Sequence, residues 1–195
     1  MKKILLLGDS IRMGYDDFVR DGLKEYEVYY DAEDNGRFSS YTIWQFNQLY
    51  KKYGPFDLVH FNNGYWDMNH EDPFGNPETP IEDYLHNLRR LVELIKKTGA
   101  IPVFSLTTPI YNIDKEEDGF LKTGYRDEWV KEYNAAAFSL MKELGVEVID
   151  LYNLLLDGYH YYKCYDSLHL TTEGYQKCAN LICQTIKDIL GKDNK

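Results

Sequence analysis

Short apolar runs alternate along this chain with longer amphipathic segments, and that alternation limits the possible folds more than any other feature. Continuous apolar runs are typical of strands buried on both faces of a sheet. Strands separated by helices favour a parallel sheet covered by helices on both sides. The sequence therefore predicts an α/β fold with about five parallel strands. The five runs are Ile4–Leu7, Tyr26–Tyr30, Phe56–Phe61, Ile101–Leu106 and Val146–Ile149.

Four other segments have the spacing of amphipathic helices. Their apolar side chains recur every three or four residues, over residues 11–23, 81–95, 129–144 and 175–190. Gly99 and Gly145 follow two of these segments, at positions where glycine commonly ends a helix. Ligands of such sheets bind beyond the carboxyl ends of the strands. We therefore expect functional residues directly after the strands, in segments 8–10, 34–40, 62–67 and 105–109.

Two segments show neither the apolar runs of strands nor the apolar spacing of helices: Met68–Pro80 and Ile110–Arg126. Both are longer than most connections between such elements. Both are rich in Asp, Glu, Asn, Gly and Pro, and both start from the edge where functional residues are expected. We expect them to be loops, which either wall a substrate cleft or are simply solvated.

Length and charge narrow the classes of function. A chain of 195 residues is expected to form one domain, over residues 1–195. The net charge of −10 argues against nucleic acid and against an anionic membrane surface as partners, because both bind basic faces. No run approaches the roughly 20 apolar residues of a membrane span.

Cysteine usage and the first residues indicate a cytoplasmic protein. The three cysteines, Cys164, Cys178 and Cys183, are an odd number without metal-binding spacing, which does not suggest a secreted disulfide framework. The first apolar run ends at Gly8 and is too short for a signal peptide. We therefore expect a soluble, cytoplasmic protein without metal or cofactor. Its oligomeric state is left open.

The tripeptide Gly8-Asp9-Ser10 follows the first strand and opens the first helix. A serine on such a turn exposes its hydroxyl, and a helix N-terminus favours negative charge. These properties suit a nucleophile that also helps to hold an oxyanion. A plain helix cap is the structural alternative. A phosphate-binding loop is disfavoured, because its glycine patterns are absent and Asp9 would repel a phosphate.

A second candidate motif, Asp166-Ser167-Leu168-His169, lies just before the last helix. An aspartate and a histidine three positions apart in one turn can face the same cleft. The carboxylate then fixes the imidazole tautomer, while the other ring nitrogen faces a nucleophile. A metal site would need a third ligand, and none lies nearby in the sequence. The remaining histidines are scattered and are expected in the core or on the surface: His60, His70, His86 and His160.

Together the two motifs resemble the GDSL/SGNH hydrolase superfamily, in the right order and over nearly the whole chain. The resemblance implies a flavodoxin-like, three-layer α/β/α fold. It also implies Ser10 as nucleophile, His169 as general base and Asp166 as its orienting partner. The family's second block supplies a glycine N–H to the oxyanion hole, and Gly36 matches that glycine. The N–H of Ser10 would be a further donor.

The third block is where the chain departs from this family. The usual pattern is Gly-x-Asn-Asp, and the chain has Trp66 where that asparagine is expected. An indole N–H is a donor and could take its place. Alternatively Asn62 or Asn63, at the end of the third strand, supplies the amide. Our hypothesis is Asn63, with Trp66 and Arg37 contacting the substrate.

The function implied is hydrolysis of a carboxylic ester through an acyl-enzyme. Short acyl groups, such as acetyl on a carbohydrate, are common substrates in the family. The 18 tyrosines and three tryptophans would suit stacking on sugars, although aromatic residues more often serve the core. Two alternatives remain: an acyltransferase of the same family and a flavodoxin-like binding module without catalysis. A protein that binds a nucleotide or flavin is disfavoured by the lack of a glycine-rich phosphate loop.

Overall fold

A computed structural model describes residues 1–71, 75–110, 113–115, 123–163 and 166–192. Cys164 and parts of the two long segments lie outside this range. The main sheet has five strands in the order β2-β1-β3-β5-β8, and every pairing within it is parallel. The strands are β1 (Lys3–Leu7), β2 (Glu27–Tyr29), β3 (Leu58–Phe61), β4 (His70–Glu71), β5 (Ile101–Ser105), β6 (Ile113–Lys115), β7 (Thr123–Tyr125) and β8 (Glu147–Ile149). The predicted parallel sheet of about five strands is confirmed, with all five strands at their predicted places.

Helices cover this sheet, which completes the three-layer fold implied by the sequence. The longest helix, α7, packs along α1, while α4 contacts both α2 and α5. These helices and two short ones are α1 (Ser10–Gly22), α2 (Ser39–Tyr53), α3 (Tyr65–Met68), α4 (Ile81–Lys97), α5 (Asp127–Glu143), α6 (Leu151–Leu155) and α7 (Thr172–Lys192). Among the described residues, no helix combines the length and the apolar composition that crossing a bilayer requires.

The register of the central strands brings their carboxyl ends to one level. Leu7 at the end of β1 pairs with Phe61 at the end of β3, and Phe61 pairs with Phe104 in β5. All three side chains are buried. The chain therefore leaves the sheet at one edge after each of these strands, as expected for the segments that carry polar residues.

Helix α2 is absent from the expectations drawn from apolar spacing, because its buried face is largely polar. Ser39, Thr42 and Gln45 are buried on it beside Phe46 and Leu49. These polar side chains bond to the loops at the sheet edge, so tertiary contacts replace the apolar stripe that marks most helices.

The two long segments correct a second expectation, because they are not loops throughout. Their described parts contribute β4, β6 and β7, which form a three-stranded antiparallel sheet in the order β4-β7-β6. Period-2 patterning is hard to recognise in strands of only two or three residues.

Two predicted helix ends are confirmed by the backbone. Gly99 and Gly145 have φ values of +87° and +62°, a region that favours glycine, and each N–H donates to a carbonyl in the preceding turn. Cys178 and Cys183 are buried free thiols, and burial raises the pKa of each, to about 12 and about 11.

Candidate active site

The turn between β1 and α1 presents Ser10 at the carboxyl edge of the sheet. Gly8 has a φ of +144°, and a Cβ at this position would lie 2.1 Å from Oδ1 of Asn62, so only glycine fits. Asp9 caps the helix, because its Oδ1 accepts the N–H of Ile11 at 3.0 Å. Ser10 is the first helical residue and is half-buried. Its N–H donates to no group among the described residues.

The three predicted triad residues lie in one hydrogen-bonded row. The Nε2 atom of His169 is 2.8 Å from Oγ of Ser10, and its Nδ1 atom is 2.8 Å from Oδ2 of Asp166. The side chain of His169 is 32% exposed and that of Asp166 is 13% exposed. A substrate can therefore reach the serine and the imidazole, while the carboxylate stays behind them.

Local backbone contacts hold the Asp166–His169 turn in shape. Oδ1 of Asp166 accepts the N–H groups of Leu168 and His169, at 3.0 and 2.9 Å. Ser167 has a φ of +52°, which the tight turn requires. Burial alone would raise the pKa of Asp166. The two N–H donors and His169 outweigh that effect and hold the pKa below its usual value, so this carboxyl stays ionised.

Gly36 lies beside the nucleophile turn, but its N–H does not point into the cleft. It donates to the carbonyl oxygen of Gly8, two residues before Ser10. A Cβ on Gly36 would lie 2.7 Å from Oγ1 of Thr42 and 2.9 Å from that carbonyl oxygen. The expectation that Gly36 donates to an oxyanion is therefore not met in this arrangement. Gly36 instead allows two backbone segments to approach closely.

Asn63 does not offer its amide to the cleft either. Its side chain is fully buried, and Nδ2 donates to Oγ1 of Thr42 at 2.7 Å and to the carbonyl of Arg37 at 3.3 Å. The amide of Asn62 donates to Oδ1 of Asp9 at 2.9 Å. Both asparagines thus hold loops together inside the fold, an arrangement that does not favour the hypothesis of Asn63 as the third donor.

Trp66 and Arg37, the predicted substrate contacts, lie closer to solvent. Trp66 is half-buried and meets Phe38 edge to face, with ring centroids 5.4 Å apart. No hydrogen bond from its indole N–H is found among the described residues. Arg37 is exposed, and its guanidinium lies 2.9 Å from Asp34 and 4.7 Å above the ring of Tyr41. Phe38 thus packs against Trp66, while Asp34 and Tyr41 hold Arg37.

Arg12 is a buried residue of this edge that sequence reasoning missed. Its guanidinium donates to the carbonyl oxygens of Asp31 and Asp34, at 2.8 and 2.7 Å, and pairs with Asp16. It thereby ties the loop that contains Gly36 to α1. The sequence did contain a signal for this role. Arg12 lies beside Ile11 on the apolar stripe of the first helix and four residues before an aspartate. A long charged side chain at such a position needs a partner.

No three His, Cys, Asp or Glu side chains converge as a metal site would require, within the part of the chain that the structure describes. The arrangement places a serine hydroxyl, an imidazole and a carboxylate in one hydrogen-bonded row. Such a row performs acyl transfer in enzymes of unrelated folds.

The chain is similar in sequence to known proteins. A family model described as the GDSL-like lipase/acylhydrolase family matches residues 6–177. A GDSL esterase/lipase of rice, WDL1, is 28% identical over 138 residues, which cover 67% of this chain and 53% of the rice protein. The chain thus spans about half the length of that curated relative.

Solved structures share the fold. A putative acylhydrolase from Bacteroides fragilis superimposes with a TM-score of 0.76 at 21% identity, covering 97% of this chain and 88% of that one. A lipase/acylhydrolase from Enterococcus faecalis gives a TM-score of 0.74 at 22% identity, covering 96% of each chain.

Proposed function

The chain belongs to the GDSL-like lipase/acylhydrolase family, and from that premise we propose that it hydrolyses carboxylic esters through an acyl-enzyme formed on Ser10. The observation that carries this proposal is the row from Oγ of Ser10 through His169 to Asp166, with 2.8 Å at each step. A binding module without catalysis would have no need of a half-exposed serine and imidazole in this order.

The reaction has two halves. In the first, Oγ of Ser10 bonds to the acyl carbon as its proton moves to Nε2 of His169, and the carbonyl electron pair moves to its oxygen. The ester C–O bond then breaks, and His169 gives the proton to the departing alcohol. In the second half, water attacks the acyl-enzyme with His169 as base, which releases the acid and restores Ser10. Asp166 keeps Nδ1 protonated and stabilises the imidazolium in both halves.

Two donors are proposed for the oxyanion, the N–H of Ser10 and the indole N–H of Trp66. The hydrogen bonds of Gly36, Asn62 and Asn63 inside the fold support this choice, because those donors already have partners. The indole has no partner among the described residues and lies half-buried beside Phe38. Trp66 would then take the role for which the family uses an asparagine, in addition to contacting the substrate.

We propose short acyl esters, such as acetyl groups on carbohydrates, as substrates. Trp66 and Phe38 form an edge-to-face aromatic pair on the loops of the carboxyl edge, and a substrate cleft walled by this pair would disfavour bulky acyl groups. Tyr41 and Trp44, with ring centroids 5.2 Å apart, continue the aromatic surface from Arg37 along α2, and Trp44 is 53% exposed. Exposed aromatic faces suit stacking on sugar rings.

A screen of p-nitrophenyl esters of increasing acyl length, together with acetylated sugars, tests this function. The expected result is turnover that is fastest with acetate esters and is abolished in Ser10→Ala. Turnover that is equal in wild type and Ser10→Ala would refute the nucleophile. A fluorophosphonate probe adds an independent test, because it should label wild type and leave Ser10→Ala unlabelled.

A further inference from the structure

Asp9 lies next to Ser10 and is completely buried. Its Oδ1 accepts two hydrogen bonds, from the N–H of Ile11 at 3.0 Å and from Nδ2 of Asn62 at 2.9 Å. The amide of Asn62 is itself oriented, because its Oδ1 accepts the hydroxyl of Tyr15 at 2.9 Å. The other oxygen of Asp9, Oδ2, is buried and has no partner among the described residues.

Capping the helix does not explain a carboxylate at this position. An asparagine or a serine would accept the N–H of Ile11 equally well and would not bury a charge. A buried oxygen without a partner adds a further cost to folding. A residue that costs stability beside a reactive group calls for a functional explanation.

We propose that Asp9 is a positioning residue whose negative charge, held in place by Tyr15 and Asn62, stabilises the protonated form of His169. This inference rests on the proposed function only for its catalytic consequence. When Ser10 gives its proton to Nε2 of His169, the charges of two carboxylates would stabilise the imidazolium. Asp166 contacts its Nδ1, while Asp9, the residue before Ser10, would act through its charge and without a direct hydrogen bond. No proton moves to Asp9 in this step.

The charges around Asp9 support this assignment. Burial raises the pKa of Asp9, while the hydrogen bonds from Asn62 and Ile11 and the positive charges of His169 and Arg12 oppose the rise. The interaction between Asp9 and His169 is mutual, so the carboxylate favours the imidazolium as the imidazolium favours the carboxylate. Other ionisable groups near this pair are Asp166 and Tyr175 on the C-terminal segment, Tyr15 on α1, Tyr65 and Asp67 on α3, and Tyr84 on α4.

The charge can be removed with little change in shape. Asp9→Asn keeps an oxygen for Ile11 and Asn62 and removes only the negative charge. The test follows the imidazole signals of His169 by NMR as pH is varied, with the signals assigned by their loss in His169→Asn. We expect the midpoint of this titration to move to lower pH in Asp9→Asn, because the variant lacks the negative charge that favours the imidazolium. An unchanged midpoint would overturn the proposal.

Asp16→Asn is the matched control, since Asp16 is a second buried aspartate of the same region. It pairs with Arg12 rather than with His169. Its loss is expected to leave the His169 midpoint in place, and an equal shift in both variants would overturn the proposal by indicating a general charge effect. Should Asp9→Asn fail to fold, Asp9→Ser removes the same charge and keeps a capping oxygen.

Kinetics provide the second readout. We expect kcat of Asp9→Asn to fall at least tenfold with KM changed less than about twofold, because the imidazolium forms only in the transition state. A kcat equal to that of wild type would refute the catalytic consequence. The NMR titration does not depend on turnover. If no ester is hydrolysed, the proposed function fails, while the effect of Asp9 on His169 is still decided.

Discussion

Two pairs of loops meet at the carboxyl edge of the sheet, and they differ in whether their polar groups are accessible or hydrogen-bonded inside the fold. In the first pair, residues 8–10 and 166–169, Oγ of Ser10 and the ring of His169 stay accessible while the carboxylates behind them are fixed. In the second pair, residues 31–38 and 62–67, most polar groups have hydrogen-bond partners inside the fold. Nδ2 of Asn63 donates to Oγ1 of Thr42 and to the carbonyl of Arg37, and the N–H of Gly36 donates to the carbonyl of Gly8. The first pair thus leaves a hydroxyl and an imidazole accessible, whereas the second mainly fixes the shape of the edge.

The largest expected effects lie in the first pair. Replacing Ser10 or His169 by Ala should each lower kcat by at least ~10⁴, and the double variant should be little worse, because the residues act as one unit. Asp166→Asn should cost on the order of 10⁴, because the imidazole would take the wrong tautomer. Steady-state kinetics on a p-nitrophenyl ester measures all four variants. Near full activity of Asp166→Asn would leave Asp166 with only a structural role in its turn.

In the second pair of loops, we expect one residue to donate a hydrogen bond to the oxyanion and the others to have structural roles. Trp66→Phe keeps an aromatic ring but removes the indole N–H, and we expect kcat to fall ~10²–10³-fold. Asn63→Ala should instead lower the free energy of unfolding by about 1–3 kcal/mol, because buried groups lose their partners, with kcat of the folded protein changed little. Kinetics combined with urea unfolding measures both variants. A large loss of kcat in Asn63→Ala with none in Trp66→Phe would return the donor role to the asparagine.

Gly36→Ala tests the contact between the two pairs. The added methyl would lie 2.9 Å from the carbonyl oxygen of Gly8 and 2.7 Å from Oγ1 of Thr42, so the loop must move away from the nucleophile turn. We expect a loss of about 1–3 kcal/mol in stability and a fall of roughly tenfold in kcat, since small displacements at a site are costly. Thr42→Ser, which keeps the hydroxyl, is the control. Wild-type stability and kcat in Gly36→Ala would show that the close approach is not required.

This contrast also explains which features could be predicted from the sequence. The strands follow from a local signal, the apolar runs. The triad remains a proposal that rests on the family resemblance of two motifs, and its three side chains lie in one hydrogen-bonded row. Whether Gly36 or Asn63 offers a donor depends on partners far along the chain, such as Gly8 and Thr42. Spacing gives the position of a donor but not the acceptors that compete for it.

The buried polar face of α2 illustrates the same limit. Three polar side chains of this face are buried because each bonds to the second pair of loops: Ser39, Thr42 and Gln45. The helix therefore has no apolar periodicity that could be recognised in the sequence. Arg12 is buried for the same kind of reason, since its partners are backbone carbonyls of residues 31 and 34. Polar burial of this type becomes visible only when the fold has brought the partners together.

The last prediction concerns Asp67, which belongs to the second pair and should affect stability rather than kcat. Its carboxylate accepts the N–H of Ser39, at 3.0 and 3.1 Å, and the Ser39 hydroxyl at 2.7 Å, which fixes the start of α2. Burial raises the pKa of Asp67 from 3.8 to about 6, despite the hydrogen bonds from Ser39, which lower it. The folded protein therefore retains a proton here that the unfolded chain has already lost between these two pH values.

Because the folded state binds the extra proton, the contribution of Asp67 to stability is largest below pH 3.8 and is lost as pH rises towards 6. The slope is at most about 1.4 kcal/mol per pH unit, the value for one proton. Urea unfolding of wild type and Asp67→Asn between pH 4 and 7 measures the difference. We expect the stability of the variant relative to wild type to increase as pH rises from 4 to about 6, and to level off above that pH. A difference that is constant with pH would mean that Asp67 does not titrate there, and that the second pair of loops contributes hydrogen bonds without a buried acid.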